Sequence, residues 1–181
     1  TKVGYTNATV NRNDIVRFGT TEKQGMAVYI DAEKAALLKG TTLKKFLTYV
    51  STTQCKNATF FITKELGGTA VYQQSFVPTS SRSTMIEYQV SDSYVLDGEP
   101  FYFGHTLEAG TNYKPLSFDR SANTEAGISW AYENGEWIDV SAKGYGVPNI
   151  QIAVDGLSAF TDLMVRPVQA EGYQVAGKAQ V

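Results

Sequence analysis

One cysteine, Cys55, stands in 181 residues, so no internal disulfide can brace this chain and no CxxC pair offers metal or redox chemistry. Histidine is as scarce, with His105 alone. Excess charge of one sign is missing too: 16 Lys and Arg stand against 18 Asp and Glu, a formal net charge of −2. Nothing here is basic enough to make a phosphate backbone the expected partner, so no nucleic-acid partner is expected. No apolar run approaches the roughly 18 residues of a membrane-spanning helix. The opening TKVGYTNATVNRND lacks the basic and apolar regions of a secretion signal. What the chain has in quantity is aromatic side chains, at 12%, within a 43% hydrophobic total. That is enough to bury a core, and it argues against disorder.

The dominant pattern is short alternating runs between turn residues, which predicts an all-β sandwich. Strands are expected at 26–31, 42–51, 58–66, 69–77, 84–90, 99–107 and 149–156. Asp31 is placed to cap one helix reaching Lys39, with Glu33 in its first turn and Gly40 just past its end. The clearest local signal is ISWAYE-NG-EWIDVS (128–141), where Asn134-Gly135 suits a two-residue type I′ hairpin. After Gly156 the texture changes. The segment 158–181 reads as an edge strand carrying Pro167, followed by the start of a neighbouring immunoglobulin-like module. The main domain is expected over 1–157, as a mostly β, antiparallel, jelly-roll-like (galactose-binding-like) sandwich of roughly eight to ten strands with one short helix.

Several segments, read together, point to a family. They are the helix followed by KGTTLKKF, then NATFFITKELGGTAVYQQSF, DGEPFYFGHTL and GYGVPNIQIAVDG. From Val28 to Gly156 the chain resembles the β-sandwich modules of secreted and cell-surface bacterial proteins, related to cleaved-adhesin and choice-of-anchor domains. These motifs are structural signatures of strands and turns, so they bear on fold and location more than on chemistry. The resemblance implies an extracellular or bacterial cell-surface setting, as a secreted protein or lipoprotein whose signal or anchor has been removed. It also implies a non-catalytic module that binds glycan or surface protein. The alternative is an accessory domain of a secreted protease or glycosidase whose catalytic domain lies elsewhere.

The residues with chemical potential have competing, plainer explanations. His105 lies in phase with Phe101 and Phe103, and no G-x-S-x-G elbow accompanies it, so a satisfied, partly buried imidazole is expected. Cys55 reads as a small inert residue near a strand end. In FDRSANTEAG, oxygen-bearing side chains recur at Asp119, Ser121, Asn123 and Glu125, as a calcium loop would need, and Asp119 with Asn123 are the candidate ligands. The loop is no EF-hand, since Thr124 and Trp130 stand where Gly and Glu belong. Glu133 and Glu136 flank the hairpin turn and face one another at a solvated tip, a poor site for glycoside hydrolysis.

The hairpin itself carries the candidate binding site. A two-residue turn pairs Tyr132 with Trp137, Ala131 with Ile138 and Trp130 with Asp139. One face then holds Trp130, Tyr132, Trp137 and Asp139, and the other holds Ser129, Ala131, Ile138 and Val140. Two tryptophans on one face ordinarily belong to a core. Asp139 argues against burying that face, and the aliphatic side can serve as the core side instead. In that second arrangement the aromatics form a platform on which sugar rings stack, with a carboxylate to receive hydroxyl hydrogen bonds.

Overall fold

The computed structural model describes residues 1–79 and 81–156; the edge strand and module start expected at 158–181 lie outside them. In chain order the strands are β1 (Lys2–Val3), β2 (Ile15–Val16), β3 (Lys23–Ile30), β4 (Thr42–Thr48), β5 (Cys55–Thr63), β6 (Ala70–Ser75) and β7 (Ile86–Gln89). They continue as β8 (Phe101–Ala109), β9 (Leu116–Asp119), β10 (Ser129–Glu133), β11 (Glu136–Asp139), β12 (Val147–Pro148) and β13 (Ile150–Asp155). One α-helix, α1 (Ala32–Leu37), follows β3, and a 3-10 turn spans Arg12–Asp14. The chain is mostly β, with antiparallel pairing throughout, as the alternation predicts.

Three sheets form. A six-stranded sheet runs β11-β10-β3-β8-β5-β6, a four-stranded sheet runs β1-β13-β4-β7, and a small one runs β12-β9-β2. The two larger sheets face each other through aromatic packing. Phe46 of β4 stacks on Phe60 of β5 with ring centroids 4.2 Å apart and planes 5° from parallel. Tyr88 of β7 stacks on the other side of Phe46 at 5.1 Å. Offset and edge-on aromatic pairs contribute about 1 kcal/mol each beyond the area they bury, and Phe76 adds edge contacts to both Phe46 and Tyr88.

Nine of the thirteen described strands lie where alternation predicts them; β1, β2, β9 and β12 are additional and span two to four residues each. Strand β5 begins three residues earlier than expected, at Cys55 rather than 58, because Cys55 and Lys56 pair with Ala109 and Glu108 of β8 ahead of a bulge between Lys56 and Thr59. Asn57 sits in that bulge with φ of 55°, a left-handed conformation that Asn tolerates. The helix starts as expected, with the Asp31 carboxylate accepting from the Lys34 N–H at 3.0 Å, but ends at Leu37 rather than Lys39. Its last turn tightens, with the Leu38 N–H donating to the Ala35 carbonyl. Ala35 and Leu38, three residues apart, are the side chains it buries.

Candidate functional site: an aromatic groove on the outer sheet face

The hairpin register is the expected one: Trp130 opposite Asp139, Ala131 opposite Ile138, Tyr132 opposite Trp137 and Glu133 opposite Glu136. Which face turns inward is now decided. Ser129, Ala131 and Val140 are fully buried, while Trp130, Tyr132, Trp137 and Asp139 lie half-buried on the outer face. The aliphatic side is the core side because β10 pairs with β3, whose inward residues Met26 and Val28 lie opposite Ala131 and Ser129. The hairpin tip is docked, and not merely solvated. Asn134, at φ of 49°, accepts from the Thr20 N–H at 2.8 Å through its side-chain oxygen. The loop it holds is fixed in turn by Gln24, whose amide both donates to and accepts from the Phe18 backbone at 2.8 Å.

Behind the hairpin, the outer face of β3 and β8 carries a patch of small residues. Gly25 on β3 lies opposite Tyr132, and Ala27 lies opposite both Trp130 and Gly104. The Trp137 indole fills the space above Gly25, where an added Cβ would come within 2.9 Å of the ring. The ring then meets Phe61 of β5 edge-on at 5.8 Å and Tyr132 at 5.4 Å. Between this aromatic wall and the Gly67-Gly68 turn lies a groove of about 400 Å³. Its polar lining includes Thr59, Thr106 and Gln73, hydroxyl and amide groups able to donate and to accept. Lys23 is its one charged lining residue among those described, and its ammonium sits over the Tyr132 ring, 4.9 Å from the centroid.

The four residues singled out on the hairpin thus divide into pairs. Tyr132 and Trp137 line the groove. Trp130 instead packs edge-on against Tyr102 at 6.0 Å and donates from its indole N–H to the Gly127 carbonyl at 2.7 Å. Asp139 is occupied within the fold. One oxygen accepts from the Gly127 N–H at 2.8 Å, and the other accepts from the Ser141 N–H and hydroxyl. Burial alone would raise its pKa, but these donors win and hold the carboxyl below its usual range. Lys23, Phe61, Thr106 and Gln73 were not anticipated. Alternation in EPFYFGHTL does turn Thr106 outward, but nothing in the sequence announces that β8 pairs with β5.

The proposed calcium ligands do not lie in one open loop. Asp119 is the last residue of β9 and 1% exposed. Its two oxygens receive the Thr6 hydroxyl at 2.8 Å, the Asn7 N–H at 2.7 Å, and both the N–H and hydroxyl of Ser121. Asn123 lies exposed in the loop beyond. His105 is fully buried and its Nδ1 has no partner among the described residues, where a satisfied, partly buried imidazole was expected; Cys55 pairs across from Ala109, four residues farther along β8. Burial raises the Cys55 thiol and lowers the His105 imidazole to about 4, the reverse of what an activated thiolate–imidazolium pair requires.

Compared with protein-family models, with curated proteins and with solved structures, the chain matches none.

Proposed function

We propose that this chain is a non-catalytic glycan-binding module, displayed by a bacterium on its surface or secreted, with the outer-face groove as its binding site. The observation that carries the reading is the seating of Trp137 and Tyr132. The two rings are half-buried on the solvent face of the sheet and line a groove whose other side offers hydroxyl and amide groups. Pyranose rings present C–H faces that stack on such rings, while their hydroxyls need neutral donors and acceptors at the edge. The groove is also preorganised: Gly25 seats the indole, Phe61 backs it, and Asn134 pins the hairpin tip to Thr20. Little ordering entropy is then left to lose on binding. Extracellular display rests on the resemblance of KGTTLKKF, DGEPFYFGHTL and GYGVPNIQIAVDG to cleaved-adhesin and choice-of-anchor modules. The same groove would serve an adhesin or an accessory domain that brings a hydrolase to its polymer.

A glycan array with the purified chain, followed by titration of Trp137→Ala and Tyr132→Ala, tests the reading. Both variants are expected to fold, because the inward side of the hairpin stays intact, at a cost of about 2–3 kcal/mol for the packing each ring makes on the outer sheet face, and to lose glycan binding. An array with no bound glycan would sink the proposal, as would binding that survives both truncations.

A further inference from the structure

Resting on the groove as the binding site, we infer that its ligand is an acidic glycan, one whose pyranose rings carry carboxylates, and that Lys23 selects it. The groove and such a ligand are complementary in charge. Among the described residues, the groove lining contains one cation and no carboxylate. The acidic residues nearest in sequence to its aromatic wall are turned away. Glu133 and Glu136 alternate with Tyr132 and Trp137 along β10 and β11, so they project from the opposite face of the sheet. Asp139 does share the outer face, but its oxygens are filled by Gly127 and Ser141.

The one carboxylate paired in register with Lys23 does not claim it. Glu108 lies directly across from Lys23 on β8, yet its carboxylate accepts from the Asn57 amide at 3.1 Å. Asn57 can make that bond because the β5 bulge places it there. Lys23 leans over Tyr132 instead, with no ion-pair partner among the described residues. An ammonium poised over one wall of an aromatic groove, with the neighbouring anion already satisfied, suits a ring that stacks on Trp137 and Tyr132 while presenting a carboxylate at its edge. A neutral sugar uses the stack and leaves the cation idle.

The test uses polygalacturonate, alginate and hyaluronan, each beside its carboxyl-methyl-esterified form, which keeps the rings and removes the charge. Wild-type protein, Lys23→Gln and Lys23→Arg are titrated by calorimetry at low and high salt. Lys23 is exposed, so the variants are expected to melt as wild type does. The wild type is expected to bind at least one acidic polymer about tenfold more tightly than its ester, with the preference weakening as salt rises. Lys23→Gln is expected to erase the preference and Lys23→Arg to retain it. If acid and ester bind equally, or if Lys23→Gln keeps the preference, the inference is overturned. In that case neutral-glycan binding that still depends on Trp137 leaves the groove itself standing. Absence of binding to every polymer here and to every glycan on the array overturns both.

Discussion

At the scale of single residues, His105 is the most informative side chain. Thr48 Oγ lies 3.0 Å from its Nε2 and 3.1 Å from the Asn149 carbonyl oxygen. The hydroxyl has one proton and the carbonyl can only accept, so the proton goes to Asn149, and Nε2 carries the imidazole hydrogen and donates to Thr48. Nδ1 is then a bare lone pair, buried and without a partner among the described residues. Protonating it would place a buried N–H where nothing accepts, and desolvation accordingly holds the pKa down at about 4. The linkage runs against the fold in acid. Above about pH 6.5 the imidazole is neutral whether the chain is folded or not, and it contributes nothing. Below that value the unfolded chain takes up a proton that the folded one refuses, and the penalty grows until about pH 4. Its limit is about 3 kcal/mol. Denaturant midpoints at pH 7 and pH 4.5 should therefore fall less in His105→Leu than in the wild type. Equal falls would show that His105 titrates alike in both states.

At the scale of elements, β3 is shaped by what it leaves out. An added Cβ at Gly25 would stand 2.9 Å from the outer edge of the Trp137 ring and 3.0 Å from the Thr106 methyl, so one of them has to move. The ring edge is the movable partner, and Gly25→Ala is expected to lift the indole off the sheet. Stability should drop by about 1 kcal/mol, tryptophan emission should shift to the red, and glycan affinity should fall. Unchanged emission would mean that the indole does not depend on Gly25 for its seat. Much of this sheet was readable in advance. Period-two alternation locates nine strands, and Asn134-Gly135 fixes the register of four residue pairs, because both are local properties of the chain. The two-residue strands β1, β2 and β12 carry no period at all, since a ladder that short has no alternation to display. LSFD escaped for another reason: its final Asp119 opens a run of Arg, Ser and Asn that reads as loop, and only the distant Thr6 and Asn7 make it a buried strand end. The groove was half legible in the same way. Tyr132 and Trp137 share a hairpin, whereas Lys23, Phe61 and Gln73 join them through long-range pairing that no local pattern encodes.

At the scale of the whole molecule, the segment ahead of β2 closes the sandwich. β1 adds to the four-stranded sheet beside β13, with Lys2 opposite Ala153 and Val3 opposite Ile152. A few residues on, Thr6 and Asn7 reach the Asp119 carboxylate, and the Thr6 hydroxyl also lies 2.6 Å from the Asn149 side-chain oxygen. Asn149 extends this buried cluster to Ser117 at 2.9 Å. Asp119→Ala would leave several buried donors unanswered, and a loss of about 3 kcal/mol or more is expected. Amide exchange should quicken along residues 2–8 more than along β5 or β8. A uniform quickening would place the role of Asp119 elsewhere.

The pairing of β1 with β13 also decides how the module answers force. Thr1 and Val154 exchange hydrogen bonds at 3.2 and 2.9 Å, so residues 1 and 156 emerge at the same end of the sheet, side by side. A load applied between them opens the β1–β13 ladder one rung at a time instead of shearing all its rungs together. The soft peel runs only as far as Thr6 and Asn7, where the Asp119 anchor takes up the tension. In an optical trap the force–extension curve should show a small early yield before the main rupture, and Asp119→Ala should merge the two. A module of this design gives slightly under a tug before it holds.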